Sequence, residues 1–364
     1  MSESDNIERN KIIQEKLLDF LDDEISIEKL KFLFDQTKIR QSQHELKLFL
    51  RMLVKTSNDH RRGPNFFRKI DEILQFFKED IKKYGNQEIF NLFKSNKRIL
   101  LFLIEEKILT VDEYFYRIIT SEKYSSKKYP QYFRSEIKPF MKAKWYGMIM
   151  KNLPKDFYEN RIIGENENII CKMIREDSIK DFVLYMNESG ISCNTKINLS
   201  IYETNSFLLK KTKGVKLIEY AAFFGSIKIF NFLRKRGDFL EPSLWLYAIH
   251  SNNAKLIHIL EENQIIPRVT VHERYQKFEV ESYEECLKES IKCHHNEIAD
   301  YLLNNYLKDS SDTLIQGLKY YNFWFIQKEC INEKSFYYLC GFDYYFLVED
   351  MLRRGNIDIN IVNI

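Results

Sequence analysis

Glycine and proline are scarce: 11 and 6 in a chain of 364 residues, about 5% together against a usual ~12%. Collagen-like repeats, Gly/Ser linkers, proline-rich arms and turn-dense all-β folds need far more of both. A mostly helical chain is expected. Long apolar runs are also missing, because the longest aliphatic or aromatic stretch, Ile99 to Ile104, is far below the ~20 residues that cross a bilayer. No membrane helix is expected. Charge of one sign is missing too: 56 Lys and Arg face 53 Asp and Glu, a net +3, which is too balanced for wholesale wrapping of nucleic acid or adhesion to anionic lipid. Cys171, Cys193, Cys286, Cys293, Cys330 and Cys340 contain no C-x-x-C pair, so reduced thiols in a reducing compartment are expected. The opening MSESDNIERN puts acidic and polar residues where a secretory signal carries positive charge and then an apolar stretch. The expected location is the cytoplasm, or the nucleus.

What is present is a chain 44% hydrophobic and 30% charged, able to bury a core along its whole length as about two domains or one elongated array. From Asp5 to about Lys155 the apolar residues recur at helical spacing, as in Ile12, Ile13, Leu17, Phe20 and Leu21. Ser26 and Ser42 read as helix starts, Glu45 standing three residues after Ser42 as in a capping box. The period running through Phe66, Phe67, Ile70, Ile73, Leu74, Phe77 and Ile81 is expected to stop at Gly85. Short links at Ser95-Asn96 and Ile108 to Thr110 imply neighbouring antiparallel helices.

Residues 121–155 are the one strong charge segregation, with nine Lys or Arg against Glu122 and Glu136. The interleaved Tyr129, Tyr132, Phe133, Trp145 and Tyr146 pack inward beneath a solvated lysine face on the leading reading. The alternative is stacking on unpaired bases with lysines on phosphates, hence association with RNA or single-stranded nucleic acid. Pro130, Pro139 and Pro154 also lie here, placing a boundary between an N-terminal helical domain, 1–156, and a second domain, 157–364.

A repeat unit organises the second half. KLIEYAAFFGSIKIFNFLRKRG, Lys216 to Gly237, reads as a helix with small Ala221 and Ala222, a turn at Gly225, and a second helix. The frame returns from Ser243, with Ala248 and Asn252 in the small and turn positions, then from Cys286 with Ser290 and His294. It returns again with Gly317 and Tyr321, and in Ser335 to Gly355 with Cys340 near the small position. Backwards it fits Cys171 to Gly190, with Met173 and Asp177. Gln264 to Tyr283 is an insertion between units. This unit resembles an ankyrin repeat at Lys216 to Ser226 and in the closing Gly237, with Lys216 and Leu217 departing from the family's Thr-Pro. Segments such as NFFRKIDEIL (Asn65 to Leu74), YPQYF (Tyr129 to Phe133) and ESIKCHHNEIADYL (Glu289 to Leu302) are similar to a divergent ankyrin-type family of unknown function, expanded in some unicellular eukaryotes. The resemblance implies an all-α fold, a degenerate helix-turn-helix solenoid after N-terminal helices, and generic protein binding.

No catalytic set is legible. There is no G-x-S-x-G, P-loop or G-x-G-x-x-G, and Glu165 and Glu167 share one short polar loop, which cannot supply an opposed acid and base. His294, His295, Cys286 and Cys293 lack zinc spacing. In the repeat register His295 falls where ankyrins bond a neighbouring loop, so a structural histidine is expected. No enzyme, cofactor, metal, membrane or small-molecule substrate is expected. What remains is a concave face, which in ankyrin-type stacks carries the two residues before the turn. Here these are Phe223, Phe224, His250, Ser251, Lys292, Cys293, Lys319 and Tyr320, with Arg175 and Glu176 in the weakest copy. The partner is expected to be an unidentified protein bound on this face. Phe223 and Phe224 either anchor it or pack against the next repeat.

Overall fold

Ser42 accepts a hydrogen bond from the Glu45 amide at 3.4 Å and so opens a helix as its sequence position implies. The computed structural model describes residues 3–142, 147, 154, 156–237, 239–273, 276–307 and 312–354. Those residues are predominantly helical, and none of their helices is long and apolar enough to cross a membrane. Two compact units divide the chain: Met1–Gly63 with Ala222–Gly225 and Phe239–Ile364, and Pro64–Ala221 with Ser226–Asp238. Residue 156, where the sequence suggested a boundary, lies inside the second unit.

In the second unit the helix expected to run to Gly85 is broken, Phe66–Phe76 being followed by a short Lys78–Ile81 turn. Asn96 caps the Lys97–Glu105 helix by accepting from the amides of Arg98 and Ile99. The basic segment is packed as its leading reading holds: Tyr129, Tyr132 and Phe133 are buried. Tyr129 Oη donates to the Lys94 carbonyl and Tyr132 Oη to that of Arg161, both at 2.9 Å. Arg134 is buried with its guanidinium 3.9 Å from the Phe157 ring centroid. Trp145 and Tyr146 lie outside the described residues.

The first unit begins with α1 (Glu3–Leu21), α2 (Ile27–Gln36) and α3 (Gln43–Asp59). From Leu46 to Asp59 α3 is buried on most sides, and a helix of that kind must be covered all round. Its cover comes in part from the Tyr283–Cys293 helix, more than 200 residues away in sequence. Four helical segments follow one pattern here: Leu244–Ser251, Tyr283–Cys293 and Thr313–Tyr320 are followed directly by a left-handed residue, and Glu333–Gly341 by one after Phe342. Those residues are Asn252 (φ 53°), His294 (61°), Tyr321 (58°) and Asp343 (65°). Gly225, at φ 70° with Ser251 Cβ only 3.3 Å from where its own Cβ would stand, is the one glycine among these turn residues, and there the turn carries no Cβ penalty.

The residue after each turn then ties its segment to the one before. His295 Nδ1 lies 2.8 Å from the Ile249 carbonyl, Asn322 Nδ2 donates to that of Ile291 at 2.9 Å, and Tyr344 Oη to that of Leu318 at 3.0 Å. His295 is therefore a structural histidine, as its register implied. The last copy corrects the alignment by one position, because the Tyr344 amide bonds the Leu339 carbonyl and Leu339, rather than Cys340, takes the small-residue place. The insertion folds as an antiparallel hairpin, Arg268–Glu273 on Gln276–Glu281, with Val269 opposite Val280 and Val271 opposite Phe278. That alternation has the strand period of two.

Candidate functional site

The eight residues expected on a concave face, Phe223 to Tyr320, all belong to the first unit, and most of them are buried there. Phe223, His250, Ser251, Lys292 and Cys293 are buried; Phe224 and Tyr320 are half-buried and Lys319 is exposed. Phe223 belongs to the packed alternative: its ring stacks on His250 at 4.8 Å and meets Phe224 edge-on at 4.9 Å. Phe223→Ala should cost about 3–5 kcal/mol, the range for emptying a buried aromatic site, measured as a fall in the denaturant midpoint of the full chain. A loss below about 1 kcal/mol would contradict the packing. Arg175 lies in the other unit, bonded to Glu165 at 2.8 Å and to the Asn166 carbonyl.

The centre of the cluster is a charged network invisible to local spacing. Glu289, Lys292 and Cys293 share a face of the Tyr283–Cys293 helix at i, i+3 and i+4, while Asp59 arrives from the last turn of α3. Lys292 Nζ lies 2.6 Å from Glu289 Oε1 and 3.3 Å from Asp59 Oδ1. The other oxygen contact of Glu289 Oε1 is His250 Nε2 at 2.7 Å, and Cys293 Sγ is 3.4 Å from His250 Nδ1. One residue on, His60 Nδ1 reaches the Cys293 carbonyl at 2.9 Å and its Nε2 lies 3.4 Å from Asp22 Oδ1.

Thiol, imidazole and carboxylate thus stand in the order of a cysteine nucleophile with its base and orienting acid. The electrostatics disarm it. Burial pushes the Cys293 thiol well above its usual range, with Glu289 adding, and burial pushes His250 down despite its bond to Glu289. A thiol held toward its protonated form is a weak nucleophile, and at 0% and 1% exposure Cys293 and His250 are both closed off from solvent. Burial also raises Glu289, but the His250 hydrogen bond and the Lys292 charge outweigh it and hold the carboxylate well below its usual range.

His250, Glu289 and Cys293 also place three metal-capable atoms within 4.8 Å of one another, a donor set zinc accepts. Lys292 answers for the charge instead. A dication sharing Glu289 Oε1 would sit roughly 4 Å from the ammonium, a repulsion on the order of 8 kcal/mol at an effective dielectric of 20, before the thiol gives up its proton. The set works as a closed ion-pair network that fastens α3 to the following helices.

The second unit holds a polar hollow of about 240 Å³ lined by Asn166, Glu167, Asn168, Lys196, Asn198 and Ser200 among others. Ser200 Oγ donates to Glu167 and Asn166 Nδ2 to the Asn198 carbonyl, so part of its polar lining is paired with itself. In the basic segment the burial of Tyr129, Tyr132 and Phe133 takes away three of the five rings that base stacking would need. Compared with known proteins, the chain matches no family model, no curated protein and no solved structure.

Proposed function

We propose that the chain is a non-enzymatic protein-binding protein, in which degenerate ankyrin-like repeats form a solenoid and capture a protein partner at the part of their concave face that α3 leaves open. The observation that carries it is the division among the concave-face residues: those on the 244–293 helices are closed over, while Phe224, Lys319 and Tyr320 keep solvent-facing surface. A half-exposed tyrosine beside cationic stems is a composition that interface hot spots favour. The recurring left-handed turns and their bonds to the preceding segment support the repeat reading, because a stack needs each unit tied to its neighbour. The six cysteines without a disulfide suit a reducing compartment, the cytoplasm or nucleus.

Affinity capture from native lysate should recover partner proteins with the full chain and lose them with Phe224→Ala and Tyr320→Ala. Circular dichroism should show the fold intact in both. Retention of every captured protein by both variants would sink this site.

A further inference from the structure

Along one face of α3 stand Lys47, Arg51, Lys55 and Asp59, spaced four residues apart. Each charge but one on this row meets an opposite charge. Asp343 Oδ2 lies 3.3 Å from Lys47 Nζ and 2.9 Å from Arg51 Nη2, and Lys292 answers Asp59 at 3.3 Å. At Lys55 the pattern inverts. Its neighbour is a second cation, Lys319, and the two ammonium groups lie 5.6 and 5.3 Å from the centroid of the same Tyr320 ring. Among the described residues neither lysine has a carboxylate within ion-pair reach, and the buried Arg51 Nε has no hydrogen-bond partner.

Like charges gathered around one ring repel each other, a cost that the ring's cation–π attraction to each ammonium offsets in part. The strain is visible in Lys55. Burial pushes its ammonium below the usual lysine range, and Lys319, Lys292 and Arg51 push the same way against the pull of Asp59. An anion set between Lys55 and Lys319 removes that penalty. The row itself displays the fitting chemistry, since one turn away a carboxylate, Asp343, bridges the two preceding cations.

We propose that the Lys55–Lys319–Tyr320 site receives an acidic side chain, aspartate or glutamate, of a bound protein segment. The carboxylate bridges the two ammonium groups as Asp343 bridges Lys47 and Arg51, and the tyrosine ring supplies an apolar floor. This rests on the protein-binding function proposed above and names the chemistry of its partner: an acidic peptide segment.

The test is fluorescence anisotropy of a labelled hexaglutamate peptide titrated with the full-length protein at about 50 mM salt, where screening is still weak. Hexaglutamate should bind, and the paired variant Lys55→Gln/Lys319→Gln should weaken it by about tenfold or more, as loss of charge-assisted contacts does. Lys55→Arg, which keeps the charge and tolerates any packing role of the stem, should stay within about twofold. The reversed pair Lys55→Glu/Lys319→Glu should bind hexalysine in its place. Absence of binding, unchanged affinity in the glutamine pair, or displacement of the peptide by an equal concentration of inorganic phosphate or of a single-stranded oligonucleotide would each overturn the assignment. Loss of captured partners in Phe224→Ala and Tyr320→Ala, with no hexaglutamate binding, would leave protein binding standing and remove only the acidic partner.

Discussion

At pH 5 the unit that contains α1 to α3 and Phe239–Ile364 should be several kcal/mol less stable than at pH 7. All seven histidines of the chain fall in this unit, and burial holds three of them down: His294 to about 3, His295 well below its usual value, and His250 below it as well. His60 adds to the lowering of His294 and His295. An unfolded histidine titrates near 6.5, so on acidification the unfolded chain takes up protons that the folded one refuses. The stabilisation is complete above about pH 6.5 and is lost as the pH falls toward about 3. At pH 5 a ring that stays neutral in the fold costs about 2 kcal/mol, from 1.5 pH units at ~1.4 kcal/mol each. His294 therefore costs about 2 kcal/mol, and His295, pushed down by the same burial, adds to the loss. The paired carboxylates Asp22 and Glu289, both held low, extend the loss below the usual carboxylate range. The other unit has no histidine, and burial pushes its Asp71 up to about 6 against the pull of Arg98, an effect of the opposite sign.

Hydrogen exchange should therefore show protection lost first in the histidine-bearing unit between pH 6.5 and 5. His294→Asn keeps a residue that accepts the left-handed turn and should remove about 2 kcal/mol of the pH dependence. Equal stability at pH 7 and pH 5 would contradict the neutral burial of these rings.

Replacing Lys292 by Met should destabilise the same unit by about 3–5 kcal/mol at pH 7.5, the cost of leaving buried charge without its partner. Lys292 is 4% exposed and is the cation shared by Glu289 and Asp59. Its stem is matched by methionine, so the loss reports on charge rather than on packing. Two consequences separate this from a simple cavity. The penalty should shrink at pH 5.5, because Lys292 opposes and Glu289 favours the charged form of His250, and without the lysine that ring takes up a proton. The double variant Lys292→Met/Asp59→Asn should recover part of the loss. A pH-independent penalty, or no recovery in the double variant, would show that the network carries little of the energy.

Much of the fold was legible in the residues. Low Gly and Pro content and the 3.6-residue spacing announce helices, and the repeat alignment placed turns at Asn252, His294 and Tyr321, where left-handed backbone is found. The hairpin from Arg268 to Glu281 was passed over as an insertion, although Val269 and Val271 facing Val280 and Phe278 carry a strand signal. For the candidate site, the spacing singled out Phe223 to Tyr320 but not which of them would stay open. Phe223 and Phe224 are adjacent and alike in sequence, yet one is a buried stacking partner of His250 and the other half-exposed.

By itself the sequence determined local conformation: which stretches are helical and where most of the turns between them fall. These follow from dihedral preference, capping and amphipathic period, all written within a few residues. Only the tertiary structure decided that α3 packs against the Tyr283–Cys293 helix, that Asp59 completes the charge of Lys292, and that Lys55 and Lys319 share the Tyr320 ring with no acid in ion-pair reach among the described residues. The two charge pairings join positions 233 and 264 residues apart, and no periodicity or spacing relates them. They are set by which helix can bury a given surface, and the charges are carried to their places with it.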